Sequence, residues 1–340
     1  MDKITAKLIM IKPYFPNDYE HNILTCIDKY YDAFICDIKN TTLIVSSFYK
    51  DISPYYLKFK YIKYRGKSFL NRKMGTLSIS YYIDIEKANI ECSTICGDNK
   101  VTEYISDLQM KKELLIIEFE QILHNIIFAL NLSSFGMLNI SEESCIYGKS
   151  AFYINNKRYK ETHIGNLLFD DMYRAILKEG WPCIYNIPFR KSWNWLQNKT
   201  HFMDRKPKSK IDRALNALTY LYNCRAYEDI FYSLMGIEAL YNCGKGKIRK
   251  QIEKKVRLIL GNYPNLSFII KNMYDIRSDF FHGRFNINKS DCDDYPLSYN
   301  TKKYFQCVNT AILILISTIQ KMITSDCSSV DELLKQKFKT

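Results

Sequence analysis

From residue 211 onward the apolar residues recur with helical spacing, and the pattern holds as far as residue 323. Positions 211, 214, 215, 218, 221 and 222 make one stripe, and 227, 230, 231, 234, 237 and 241 make the next. A chain patterned in this way can hide its apolar stripes only against other helices. The spacing predicts helices over 211–223, 227–241, 247–260, 266–281 and 304–323, with Gly244, Gly261 and Gly283 as stops. Short connections imply an up-and-down bundle. One longer crossover, the polar 286–300 loop with Asp291, Asp293 and Asp294, precedes the last helix.

The first hundred residues follow a different rule. Stretches 5–11, 33–37, 42–48, 57–64, 76–85 and 89–95 are rich in β-branched and aromatic residues, with turn signals such as Ser53-Pro54 and Arg65-Gly66 between them. A long helix is expected over 101–131, and a hairpin over 151–154 and 158–164 around Asn155-Asn156. A short helix is expected over 170–179. Trp181, Trp193 and Trp195 then lead into the polar stretch 198–210, which reads as a linker. The expected fold class is α+β. A β-rich domain occupies 1–200, an all-helical domain 205–325, and a polar tail 326–340.

A net charge of +13 draws such a chain toward polyanions. The eleven cysteines are irregularly spaced, and the first residues contain no apolar leader, so the thiols are expected reduced and the location cytoplasmic. Cys92 and Cys96 form one CxxxC pair without a second, which is too few ligands for a zinc site. No metal and no cofactor are expected. Nor is a membrane span, because no stretch reaches about 18 uninterrupted apolar residues.

The chemistry-bearing residues concentrate near the end of the fourth predicted helix. Tyr274-Asp275-Ile276-Arg277-Ser278-Asp279-Phe280-Phe281-His282-Gly283-Arg284 carries an arginine, four residues and a histidine, followed by glycine. A second R-x4-H match, Arg158 to His163, falls in the predicted hairpin and is set aside. In an unbroken helix, residues five apart point about 140° from one another. Arg277 and His282 can therefore converge only if the chain turns at Gly283 or if a second copy of the helix meets the first. Glu238 lies on the inward stripe with Phe231, Leu234 and Tyr241, where a carboxylate needs a partner; Arg277 is the partner expected. The third predicted helix is strongly basic: Lys245, Lys247, Arg249, Lys250, Lys254, Lys255 and Arg257 stand against the single acid Glu253, a stripe suited to phosphates. Gly244-Lys245-Gly246-Lys247 lacks the spacing of a P-loop.

Three motifs in order carry a resemblance. Asp212-Arg213-Ala214-Leu215-Asn216-Ala217-Leu218, then Gly236-Ile237-Glu238-Ala239-Leu240, then Tyr274-x-x-Arg277-Ser278-x-x-x-His282-Gly283 resemble the Apea-like branch of the HEPN superfamily over about 205–322. The resemblance implies a homodimeric helical domain that cuts RNA without a metal. It implies a place in prokaryotic defence, such as abortive infection against phage. Arg277 and His282 would be the catalytic pair, Ser278 the polar residue beside the arginine, and Glu238, Tyr274 and Arg284 their support. Lys245, Lys247, Arg249, Lys250, Lys254 and Arg257 are assigned to RNA binding. The N-terminal portion is read as a sensor or specificity module, open to a phage-derived trigger. The alternative is a HEPN module that dimerises or binds RNA without cutting it.

Overall fold

A computed structural model of the chain describes residues 1–11, 21–39, 41–49, 51–63, 74–96, 99–137, 150–161, 181–182, 185–204, 206–223, 228–241, 244, 246–284 and 299–338. The helix expected over 170–179, His163, Lys245 and most of the 286–300 loop lie outside these residues. The fold is α+β and divides into two compact units. One comprises Met1–Asn131 and Gly136–Asn166, the other Leu132–Phe135 and Leu167–Thr340.

The elements of the first unit run β1 (Asp2–Ile11), α1 (His21–Ile38), β2 (Thr42–Val45), β3 (Tyr55–Lys63), β4 (Met74–Ile83), β5 (Glu91–Cys96), β6 (Asn99–Tyr104), α2 (Leu108–Ser133), β7 (Ala151–Ile154) and β8 (Lys157–Glu161). An antiparallel sheet takes the order β2-β3-β4-β1-β7-β8, and β5 pairs with β6 alone. Period-two burial along β3 hides Tyr55, Leu57 and Phe59 and leaves Tyr56, Lys58 and Lys60 in solvent. Helix α2 covers the buried face through Phe119, whose ring meets Tyr81 and Phe152. Within that layer the buried Glu118 accepts hydrogen bonds from the Ser47 and Tyr55 hydroxyls and the Phe48 N–H.

The hairpin expected around Asn155-Asn156 is present. Both asparagines have positive φ, 50° and 67°, as a tight two-residue turn between right-twisted strands requires. Two expectations need correction. Residues 33–37 belong to α1, where Tyr31, Phe34 and Ile38 are buried at helical spacing; a short apolar run does not reveal its own period. Residues 101–104 pair with β5, and α2 starts only at Leu108, where Asp107 Oδ1 caps the Met110 N–H at 2.6 Å.

The second unit contains α3 (Phe189–Lys199), α4 (Lys210–Asn223), α5 (Asp229–Tyr241), α6 (Ile248–Leu260), α7 (Leu266–Phe281), α8 (Tyr299–Thr324) and α9 (Val330–Lys337). Helix α8 is central and packs against α3 through α7. Its segment Gln306–Thr324 is long and apolar enough to pass for a membrane span, but polar residues interrupt it and most of it is buried inside the unit, as a core helix requires. Gln320, fully buried, donates to the Leu132 and Tyr185 carbonyls and accepts the Tyr185 N–H, each at 2.9 Å. At Gly236 a side chain would sit 3.1 Å from Leu315 and 3.3 Å from Ala217, so the glycine lets α5 approach both neighbours.

The stretch expected to be a linker is built into this unit, and the compact division falls at 166/167 rather than near 200. Trp193 and Trp195 of α3 are buried, and Trp195 Nε1 donates to the Cys327 carbonyl at 2.8 Å. Asp212 accepts the N–H groups of His201, Lys208 and Ser209 at 2.8, 3.0 and 2.7 Å, and Ser209 Oγ accepts the Asp212 N–H in return. Hydrophilic composition concealed this because the polar groups serve the backbone. The tail expected over 326–340 likewise includes α9, with Cys327 and Val330 buried.

Burial pushes the Asp212 carboxyl upward, but its hydrogen bonds outweigh that and hold it below the ordinary carboxylate range. Asp212→Ala should therefore cost about 2–4 kcal/mol near neutral pH. The carboxylate stabilises the fold above the unfolded-state pKa, so urea titrations should show the deficit narrowing as pH falls below about 4.

Candidate functional site

On α7, Tyr274, Arg277 and Phe281 fall three and four residues apart and share one side of the helix. That side meets α5. Glu238 Oε1 accepts a hydrogen bond from Tyr274 Oη at 2.9 Å and another from Arg277 Nη1 at 3.3 Å. The expected ion pair is therefore present, although it is half-buried: the Arg277 side chain is 40% exposed and that of Glu238 30%. The guanidinium carbon lies 5.9 Å from the centre of the Phe281 ring. Phe231 of α5 wedges edge-on against Phe280 and Phe281, with centroids 4.8 Å away in both cases. Aromatic packing and a shared carboxylate thus fix the arginine while part of it remains reachable from solvent.

The helix ends as its sequence foretells. The Gly283 N–H bonds to the Phe280 carbonyl and the Arg284 N–H to the Asp279 carbonyl, the paired bonds of a Schellman ending. Gly283 has φ +64°, a left-handed conformation that a side chain would strain. The turn comes one residue too late to swing His282 back. The His282 N–H still bonds to the Ser278 carbonyl at 3.0 Å, so His282 keeps its place in the helical progression. By helical spacing its Cβ falls on the side of Ser278, about 140° around the helix from that of Arg277. His282 is exposed, and among the described residues no hydrogen bond or ion pair engages its ring. Within one copy of the chain no described contact joins Arg277 and His282. Arg284 folds back on the helix end, its Nε 3.2 Å from Asp279 Oδ1.

The basic helix α6 lies elsewhere. Its Arg257 pairs with Glu253 at 3.1 Å and also donates to Asn262, to the Tyr263 carbonyl and to Ser267, so it serves the fold rather than a free phosphate-binding surface. Lys255 is engaged by the Tyr241 carbonyl and Asp331. Lys247, Arg249, Lys250 and Lys254 are exposed. Helix α6 meets α7 at Ser267, near its start, whereas His282 follows its end, and among the described residues no contact joins Lys247, Lys250 or Lys254 to Arg277 or His282. The basic residues and the Arg277–His282 segment are distinct regions of one unit.

Sequence reasoning passed over Asp229, at the start of α5. Its Oδ1 is buried without a hydrogen-bond partner among the described residues. Burial, reinforced by neighbouring Glu228, pushes its carboxyl up to about 7. The signal available was an acid pair, Glu228-Asp229, set directly before an apolar helix.

No family model, curated protein or solved structure matches the chain.

A carboxyl with a raised folded-state pKa holds a proton that the unfolded chain has already released, so the folded state loses stability as pH climbs from about 4 to 7. Asp229→Asn should stabilise the fold at pH 8 by about 1–2 kcal/mol, partial solvent exposure being discounted, and raise the thermal midpoint with it. The gain should vanish near pH 4, as calorimetry at the two pH values would show.

Proposed function

We propose that this chain is a metal-independent endoribonuclease whose reacting centre is completed by two copies of the helical unit. One observation carries the reading: a half-exposed guanidinium, held by a Glu238 that Tyr274 also braces, stands five residues before an exposed imidazole, which no described residue engages, at a glycine-closed helix end. The resemblance of the three motifs to the Apea-like HEPN branch supports the same reading, and it implies a setting in prokaryotic defence against phage.

The chemistry needs few parts. RNA carries its own nucleophile, the 2′-hydroxyl beside the scissile phosphate. An imidazole can take the 2′-OH proton, and a second, protonated imidazole can give one to the departing 5′-oxygen. A guanidinium stays charged and can hold two phosphate oxygens while negative charge builds on the phosphorane. The O2′–P bond forms as the P–O5′ bond breaks, leaving a 2′,3′-cyclic phosphate and a 5′-hydroxyl. Two His282 rings, one from each copy, would share the roles of base and acid.

The outward side of α5 suits a second copy. Met235 is 48% exposed, and beside it stand Tyr220 at 52%, stacked on Tyr232 at 4.6 Å, and Phe281 at 67%. These apolar groups border Arg277 through Phe231 and Phe281. Covering them with the same surface of another copy would bring a second α7 end to the first.

Arg277→Ala and His282→Ala should each reduce cleavage of labelled RNA at least about 100-fold, with circular dichroism unchanged. Cleavage should persist in EDTA and yield cyclic-phosphate ends. Loss in EDTA with rescue by a divalent ion would reject the mechanism, and an RNA-binding protein that never cuts would establish the non-catalytic alternative. Met235→Glu should convert dimer to monomer in sedimentation and abolish cleavage along with it; a monomer that still cuts would remove the need for two copies.

A further inference from the structure

Helix α6 carries two sets of cations that behave differently. Lys255 and Arg257 are spent on carboxylates and carbonyls inside the unit. Lys247, Lys250 and Lys254 are exposed, and among the described residues none of them has an acidic or carbonyl partner. Spaced three and four apart from the N-cap onward, they gather at the start of the helix, where like charges repel. Together with Gly246 and Gln251 they line a depression of about 460 Å³.

The floor of this depression is braced. Gln251 Oε1 accepts the Gly244 N–H at 3.0 Å, and its Nε2 donates to the Gly246 carbonyl at 2.7 Å. One side chain therefore ties the approaching chain to the helix, and Gly246 supplies the φ of +76° that this path demands. The concavity is open and lined by ammonium groups. A compact, strongly hydrated ammonium is suited to phosphate oxygens as a point charge, and phosphate contacts carry no sequence information.

We infer that the Lys247–Lys250–Lys254 depression is a phosphate-binding subsite that anchors a nucleic acid strand independently of Arg277 and His282. The inference leans on the nuclease reading only in naming RNA as the strand. Because its lining includes neither Arg277 nor His282, the subsite grips flanking phosphates and leaves the scissile one to the α7 end. It raises affinity for long strands without setting sequence preference. A dinucleotide, which offers no flanking phosphate, gains nothing from it.

The test uses the full chain and fluorescence anisotropy. The probe is a labelled RNA of about 12 nucleotides with methylated 2′-oxygens, which has no nucleophile and cannot be cut by the proposed route. The variant Lys247→Gln/Lys250→Gln/Lys254→Gln is compared with Lys58→Gln/Lys60→Gln/Lys63→Gln, which removes the same charge from exposed positions on β3. The α6 variant should bind about 10- to 100-fold more weakly at moderate salt, with the slope of log affinity against log salt shallower by about 2. The β3 variant should change neither appreciably. Equal losses from both variants, no loss from the α6 variant, or no binding by the native chain would overturn the proposal. So would lysine-dependent binding to phosphatidylserine vesicles in preference to RNA. Cleavage of unmodified RNA is scored separately. Lysine-dependent binding with no cleavage leaves the subsite standing and removes the nuclease reading; cleavage with unaltered binding does the reverse.

Discussion

A helix that is apolar on every side is stable in water only when other helices enclose it. In the second unit that requirement falls on α8, where residues 310–320 are buried without interruption. Leu315 reaches the close approach at Gly236, and Thr318 Oγ1 meets the Tyr241 hydroxyl at 2.6 Å inside the bundle. Gln320 turns a potential penalty into a fastener, since its amide meets three backbone groups that would otherwise lie unpaired. With α5 and α7 both packed against α8, their facing sides stand close enough for Glu238 to meet Arg277 and Tyr274.

The consequences for chemistry follow from helix geometry. Held by Glu238, the guanidinium is pre-oriented at little conformational cost, yet its partial exposure keeps it accessible to a phosphate. The histidine lies on another side of α7 because the helix stays regular until Gly283. In the proposed nuclease a centre built from these two groups is divided within one chain, and that division is the argument for proposing a second copy. The exposed aromatics next to Arg277 would give such a copy something to bury.

Charge is divided in a similar way. Part of the basic excess on α6 is neutralised internally, by Glu253, Asp331 and backbone carbonyls, while the lysines on its other side remain open. Counting cations in sequence could not separate the two sets. Lys255 is drawn inward by the Tyr241 carbonyl and Asp331, and Arg257 by Glu253 one turn earlier together with Ser267 on the next helix, and only the folded arrangement shows which cations are left over. Asp229 is the acidic counterpart: its local sequence is ordinary, and burial at the start of α5 makes it a site of pH sensitivity.

The sequence by itself determined α4 through α8 of the second unit, several of them nearly to the residue, because apolar spacing and terminal glycines are local properties, but it did not reveal α3 or α9. It determined the Asn155-Asn156 turn for the same reason, and it named the Glu238–Arg277 pair because an inward carboxylate must find a cation. Tertiary structure alone decided that residues 33–37 join a helix, that the polar 198–210 stretch is fastened by Asp212, and that His282 and Arg277 diverge. Each of those outcomes depends on which groups the folded backbone brings alongside, or on whether a helix stays regular right up to its terminal glycine. Apolar spacing alone decides neither.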